Sequence, residues 1–268
     1  MFRNAGIIIH PEREDAQQFA QKASAILSGK NIKVHEMPGT ESSEAPDIIL
    51  TFGGDGTLLA GAHYAILYNC PLLGFNVGTV GFLTEADPNA LECCIDKLLR
   101  DDYRLEERSL LTITRSGSQK TFVALNDVVV TRGGYARLIR VESFINNEFH
   151  DTITADGIIV ATPTGSTGYS LSAGGPVIEP SMNCMVITPV CAHSFRHCPT
   201  IVATSSVVRI RLQPARAQTA ELQIDGRNCG TLRNGDEIQI SGKEKGIRLI
   251  RFEDYHFYDL MRQKLTEW

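Results

Sequence analysis

Between Thr51 and Leu59 the chain reads Thr-Phe-Gly-Gly-Asp-Gly-Thr-Leu-Leu, an apolar run that stops at two glycines and presents one carboxylate, Asp55. Gly53, Gly54 and Gly56 have no Cβ, so the backbone can take positive φ and approach a ligand closely. The residues that follow, with Leu58, Leu59, Ala62, Ala65 and Ile66, suit a helix. Its N-terminus would aim free N–H groups and a partial positive charge at the turn. A phosphate-sized anion fits there. A carboxylate beside an anion site has a use if it holds a metal ion or accepts a proton, which is the pattern of phosphoryl transfer. The competing reading is a plain Asp-Gly turn in which Asp55 caps the helix.

A second group lies a hundred residues on. Thr154-Ala155-Asp156-Gly157 leads into a strand that ends at Thr162-Pro163-Thr164-Gly165-Ser166-Thr167-Gly168-Tyr169-Ser170-Leu171-Ser172-Ala173-Gly174-Gly175. A loop this rich in hydroxyls and backbone donors can encircle a polyhydroxylated, phosphorylated ligand, and Tyr169 is available for base stacking. The competing reading is a solvent-facing Ser/Thr/Gly loop. Asn126-Asp127 interrupts the apolar run Phe122 to Val130. Burying an amide and a carboxylate in a strand costs a few kcal/mol unless they are satisfied, by a ligand's hydroxyls or by a structural hydrogen-bond network.

Cys191, His193, His197 and Cys198 offer zinc-type donors within eight residues. The adjacent pair His197-Cys198 would have difficulty turning both side chains to one tetrahedral ion, so no fixed metal site is expected here. Seven scattered cysteines without a CxxC pair suit free thiols in a reducing compartment.

The elements that must position these groups change character near Tyr103. Strands at Ala5 to His10, Ile32 to His35, Asp47 to Thr51 and Pro71 to Phe75 alternate with helical patterns at Ala16 to Leu27, after Asp55, and at Pro88 to Leu99. A second glycine-rich turn, Asn76 to Phe82, follows the fourth strand. That alternation predicts a Rossmann-like, three-layer α/β domain with a mostly parallel sheet. From Leu105 the chain reads as short strands joined by turns, with Asn234-Gly235 a strong hairpin signal. A β-sandwich is expected there. The end, Ile247 to Phe252 and then Phe257, Tyr258, Met261 and Leu265, reverts to strand plus helix. The expected division is residues 1–100 with 247–268 as the α/β domain and 101–246 as the all-β domain, with the ligand site in the cleft between them.

Composition narrows the function. With 43% hydrophobic residues, 21% charged residues and a net charge of -5, a broad basic surface for nucleic acid is disfavoured. The apolar runs fall far short of the roughly eighteen residues of a membrane-spanning helix. Met1-Phe2-Arg3-Asn4 runs straight into a strand with no signal-peptide pattern, so a cytoplasmic protein is expected. A single glycine in Ala5-Gly6-Ile7, where GxGxxG would stand, disfavours hydride transfer.

Together the motifs GGDGTLL at 53–59, GFNVGTVGFLTE at 74–85, ALNDVVV at 124–130, ADG at 155–157 and TPTGSTGYSLSAGGP at 162–176 resemble the NAD kinase family. The resemblance implies transfer of the γ-phosphoryl of ATP to the 2′-hydroxyl of the adenosine ribose of NAD, a divalent cation (Mg) arriving with ATP, and a homodimer or homotetramer. It implies Asp55 as proton acceptor and Gly53, Gly54 and Gly56 as the phosphate turn. Asn126 and Asp127 fall at its adenine and ribose contacts. Asp156, Thr164, Ser166, Thr167, Gly168, Tyr169, Ser170, Leu171 and Ser172 would line the dinucleotide, with Phe82 at the border of the same pocket.

Several positions depart from the family pattern. Asp127 stands where many members carry Glu, and Thr154 where many carry Arg or Lys. Gly168 replaces an alanine, and Arg227 follows Asp225-Gly226 where Gln is frequent. The stretch around His193 matches a Pro-His-Thr segment, which favours a structural or pocket-lining histidine. A lipid or sugar kinase on the same GGDGT turn would bind no NAD. A non-catalytic dinucleotide sensor would bind it without turnover.

Overall fold

The computed structural model describes residues 2–37, 44–78, 81–133, 138–193, 198–213, 219–252 and 256–266. Thr79 and Val80 of the second glycine-rich turn, Gly134, Arg137 and His197 lie outside them. The chain divides into two compact units, Met1–Glu107 with Ile247–Trp268, and Arg108–Gly246.

The first unit contains β1 (Asn4–Ile9), α1 (Glu14–Gly29), β2 (Lys33–Glu36), β3 (Ile48–Gly53), α2 (Asp55–Tyr68), β4 (Leu72–Asn76), a 3-10 turn at Pro88–Ala90 and α3 (Leu91–Leu99). The strands are parallel in the order β2-β1-β3-β4. Alternate residues of β3 serve opposite faces, as the two-residue period of a strand requires. Ile48, Leu50 and Phe52 join Ala16, Ala20, Ala23 and Leu27 of α1 and Leu91, Ile95 and Leu98 of α3 in one core. Ile49 and Thr51 meet α2 on the other face, where Gly61 comes so close that a Cβ would overlap the Thr51 methyl group. The expected three layers are therefore present. Pro88 follows Asp87, whose side chain caps the turn by accepting from the Asn89 N–H at 2.8 Å.

The second unit is antiparallel. Its strands are β5 (Arg104–Arg115), β6 (Thr121–Ala124), β7 (Asp127–Arg132), β8 (Ile139–Ile145), β9 (Glu148–Ala155), β10 (Gly157–Ala161), β11 (Cys184–Val190), β12 (Thr200–Ala203), β13 (Val207–Leu212), β14 (Thr219–Ile224), β15 (Arg227–Arg233) and β16 (Glu237–Arg251). The unit boundaries fall within β5 and β16. One sheet runs β12-β11-β10-β7-β14-β15, and the other pairs β16 with β13, β13 with β8 and β8 with β9, while β5 joins β16 to β6. Val128, Val160, Met185 and Leu222 from one sheet pack against Leu111, Val141, Val208 and Ile238 from the other, which makes the expected sandwich. A 3-10 turn (Thr164–Thr167) and a short helix, α4 (Tyr169–Ser172), follow β10. The chain closes with α5 (Phe257–Thr266).

Two local expectations are corrected. The run Phe122 to Val130 is not one strand, because β6 and β7 belong to different sheets and the chain turns at Leu125-Asn126. Asn234-Gly235 does not close a hairpin either. It sits between β15 and β16, which also lie in different sheets, so the turn moves the chain from one sheet to the other. The hairpin lies one turn earlier at Asp225-Gly226, joining β14 to β15 with φ of 46° and 75°, the positive pair that a tight two-residue turn needs.

Candidate active site

In the first unit the apolar strand β3 delivers the chain to Gly53, where a Cβ would overlap the Thr57 hydroxyl. Gly54 is the N-cap of α2 and makes no side-chain cap bond. Cβ atoms on Gly54 and Gly56 would meet nothing within 4 Å, so both face open space. Asp55 does not cap the helix, which corrects one of the two readings of the turn. Its carboxylate reaches the segment after β4, where Oδ2 accepts from the Phe82 N–H at 2.8 Å and Oδ1 from the Leu83 and Thr84 N–H groups at 3.0 and 3.3 Å. A carboxylate offers about four lone-pair positions. Among the described residues three are taken, which leaves one on Oδ2 for a further proton donor.

The turn that grips Asp55 is itself anchored. Arg251, 1% exposed, donates from Nη1 to the Leu83 carbonyl at 2.9 Å and to Glu85 Oε2 at 3.1 Å. Its Nε donates to Glu106 Oε2 at 2.6 Å, and the Phe252 N–H donates to Glu85. Burial pushes the Glu85 carboxyl up, and the Arg251 charge works against that rise. Cation and carboxylates thus compensate each other in an interior where neither would be tolerated alone.

The strand order places the topological switch between β1 and β3, and ligands of open parallel sheets bind outside the carboxyl ends of strands at such a point. A pocket of about 490 Å3 opens there, lined by Ile9, His10, Arg13, Gly54, Gly56, Thr57 and Val77 among others. Arg13 is fixed by Asp15, with Nε on Oδ1 at 3.0 Å and Nη2 on Oδ2 at 2.6 Å. That fork leaves Nη1 beside Gly78, where a Cβ would overlap it.

In the second unit the organising group is Asp225. Its carboxylate accepts from the N–H groups of Leu125, Asn126 and Asp127 at 2.8, 2.7 and 3.1 Å, which bends the chain between β6 and β7. Asp127 is 6% exposed, and burial together with the Asp225 charge raises its carboxyl to about 7. Burial also raises Asp225, against its three backbone bonds and the nearby Arg227 charge. The Asn126 carbonyl accepts from the Thr162 N–H at 2.9 Å, and a Cβ on Gly165 would overlap that carbonyl. Asn126 Oδ1 is buried without a hydrogen-bond partner among the described residues.

The hydroxyl-rich loop divides into two kinds of side chain. Thr164, Ser166 and Ser170 are buried and bonded within the protein: Thr164 accepts from Arg108 Nη1 at 3.2 Å, Ser166 donates to the Pro163 carbonyl at 2.6 Å, and Ser170 pairs with Thr188 at 2.8 Å. Thr167, Gly168 and Leu171 are half-buried, while Ser172 and Tyr169 are exposed, Tyr169 by 45%. Asp156 forms an ion pair with Arg132 Nε at 2.9 Å. A neighbouring strand, β7, therefore brings a cation to Asp156.

Among the described residues no group of three His, Cys, Asp or Glu side chains could hold a metal ion. All seven cysteines are free, and Cys191 and Cys198 are exposed. Among the described residues no helix is long and apolar enough to cross a membrane. Sequence reasoning missed Arg13, Gly81, Arg108, Arg251 and the clamp made by Asp225. The Asp225-Gly226 dipeptide was a readable turn signal, but its partner a hundred positions earlier was not.

The model of the ATP-NAD kinase N-terminal domain matches residues 13–103, and that of the ATP-NAD kinase C-terminal domain matches residues 125–252. The NAD kinase of Moorella thermoacetica is 43% identical over 277 residues, covering 98% of this chain and 89% of its own. That of Natranaerobius thermophilus is 35% identical, covering 98% of each. Among solved structures, yeast NADH kinase complexed with NADH superposes with a TM-score of 0.90 at 26% identity, over 98% of this chain and 87% of that one. An NAD kinase from Archaeoglobus fulgidus in complex with ATP gives 0.79 at 26% identity, over 99% of each.

Proposed function

The chain belongs to the NAD kinase family, and we propose that it phosphorylates the 2′-hydroxyl of the adenosine ribose of NAD with ATP, Asp55 taking the proton. The observation that carries the assignment of Asp55 is its threefold backbone clamp at the mouth of a glycine turn. A ribose hydroxyl is far too weak an acid to be ionised beforehand by a carboxylate. Asp55 orients it through the remaining lone pair of Oδ2 and takes its proton late, as the bond from O2′ to the γ-phosphorus forms and the bond to the β-bridging oxygen breaks. ADP leaves with the electron pair. The clamp fixes the carboxylate before substrate arrives, so no reorganisation is needed in the transition state.

The N–H groups at the start of α2 and the bare faces of Gly54 and Gly56 receive the donor phosphates. A divalent cation, Mg in the ordinary case, would be held by those phosphates and would supply charge neutralisation there when bound. The turn itself supplies one carboxylate, Asp55, an oxygen donor of the hard kind that such a cation takes.

The dinucleotide binds the second unit. Asn126 Oδ1 is an acceptor lacking a donor, which the exocyclic amine of adenine supplies. Asp127 and Asp156 accept from ribose hydroxyls, and Thr167, Gly168, Tyr169, Leu171 and Ser172 line the same ligand, with Tyr169 offering a stacking face. The buried hydroxyls of Thr164, Ser166 and Ser170 act one step back, holding the loop. Phe82, whose N–H holds Asp55, borders the acceptor. The enzyme works in the cytoplasm, where its free thiols suit the redox state, as a homodimer or homotetramer.

The purified protein incubated with NAD, ATP and Mg is expected to form NADP bearing the new phosphate on O2′, read by phosphorus NMR. Phosphorylation of a lipid or sugar with none of NAD would sink the proposal.

A further inference from the structure

Leu83 and Thr84 share one peptide group, and both of its polar atoms are used. The Leu83 carbonyl accepts from Arg251 Nη1 at 2.9 Å, and the Thr84 N–H donates to Asp55 Oδ1 at 3.3 Å. A trans peptide group is planar, and its C=O and N–H point in opposite directions. Arg251 and Asp55 therefore sit on opposite sides of one rigid plate, a cation at the oxygen and a carboxylate at the hydrogen. The cation strengthens the N–H as a donor, because hydrogen bonds in series polarise one another.

The strands fix Arg251 in that place. β16 runs parallel to β4 with Leu249 opposite Leu72, which brings Arg251 level with Gly74, two residues further along each strand. The segment after β4 returns to the same point. The N–H groups of Glu85 and Ala86 both donate to the Gly74 carbonyl at 3.0 Å, and the Asn76 N–H donates to the Ala86 carbonyl at 2.9 Å. Glu85 Oε2 at 3.1 Å and Glu106 Oε2 at 2.6 Å hold the guanidinium on its other edges. Arg251 is 1% exposed, and the pocket over the glycine turn is lined by other residues. A side chain so enclosed acts on the reaction through the turn, without touching a substrate.

We infer that Arg251 is a positioning residue for Asp55, fixing and polarising the Leu83–Thr84 peptide that holds the carboxylate, and that it governs turnover while leaving substrate affinity alone. The inference rests on the role given to Asp55 above and adds the group that keeps its clamp in register. It also gives the end of β16 a use beyond closing the sheet, since the cation behind the turn comes from the last residue of that strand.

The test is a double-mutant cycle on steady-state NADP formation by the full chain, with Arg251→Lys, Asp55→Asn and the two combined. Lysine keeps a cation for Glu85 and Glu106 but lacks the fork that meets three acceptors at once. Arg251→Lys is expected to lower kcat about tenfold, the size of one lost charge-assisted hydrogen bond, with the KM for NAD and for ATP unchanged. In the Asp55→Asn background the same substitution should change kcat by less than about twofold, since effects routed through one group are not additive. An unchanged kcat, equal fold losses in both backgrounds, or a rise in either KM with kcat kept overturns the inference and leaves the kinase reading intact. Amide-resolved hydrogen exchange follows the turn itself. Phe82, Leu83 and Thr84 should exchange about tenfold faster in Arg251→Lys, with β1 and β3 unchanged, and unaltered exchange at those three amides overturns the inference. If the unmodified protein forms no NADP, the kinase reading fails and exchange alone decides. Should Arg251→Lys not fold, Glu106→Ala, which removes the acceptor of Nε, takes its place under the same criteria.

Discussion

Gly81 lies against Asp55 so closely that a Cβ at position 81 would overlap Oδ1 of the carboxylate. The glycine is what lets the next three N–H groups close on Asp55. Gly81→Ala is therefore expected to displace the carboxylate without touching the hydrophobic core. The rate of NADP formation should fall at least a hundredfold, in the range lost when a general base is misplaced, with the melting temperature changed by only a few degrees. Parallel kinetics and thermal unfolding check this.

The loop between β10 and α4 offers a paired prediction. A Cβ on Gly165 would overlap the Asn126 carbonyl, whereas a Cβ on Gly168 would come no nearer than 3.4 Å to the Gly165 carbonyl. Gly165→Ala should cost several kcal/mol, as overpacking against fixed backbone does. Gly168→Ala should lie within about 1 kcal/mol of the parent and can stabilise through the unfolded chain. Urea denaturation of the two variants separates them.

Asp127 makes stability depend on pH. Its carboxyl is raised from 3.8 to about 7 in the folded protein, so between those values the native state holds a proton that the unfolded chain has released. Stability from this group is present below about pH 4 and is lost as pH rises toward 7. At roughly 1.36 kcal/mol per unit, the loss reaches a few kcal/mol. Asp127→Asn cannot ionise and should lack this fall. The stability of the variant relative to the parent is expected to grow from pH 4 to 7, measured by denaturant unfolding at fixed ionic strength.

What could be read from the chain beforehand follows from how local each signal is. Gly53, Gly54 and Asp55 announce strand, turn and helix because β3 and α2 are continuous with them, and the change of period near Tyr103 separates α/β from all-β chain. Asp55 was legible as a candidate, yet its partners at Phe82, Leu83 and Thr84 lie beyond β4, and nothing in the turn itself specifies them. The break at Asn126 escaped pattern reading for the same reason, since the carboxylate that bends the chain belongs to Asp225. Asn234-Gly235 carries good hairpin chemistry, but tertiary packing uses the turn to change sheets. The hydroxyls of Ser166 and Ser170 resemble those of ligand-facing residues in composition, and burial gives them internal partners instead.

The assignment of Asp55 as proton acceptor meets its most direct test in Asp55→Asn, assayed for both NAD binding and NADP formation. The amide oxygen can still accept from Leu83 and Thr84 while its nitrogen faces the Phe82 N–H, so two of the three clamp bonds survive and the turn should hold. NAD affinity within about threefold of the parent, with kcat lowered at least a hundredfold, is the expected result. A kcat equal to that of the parent would contradict the role given to Asp55.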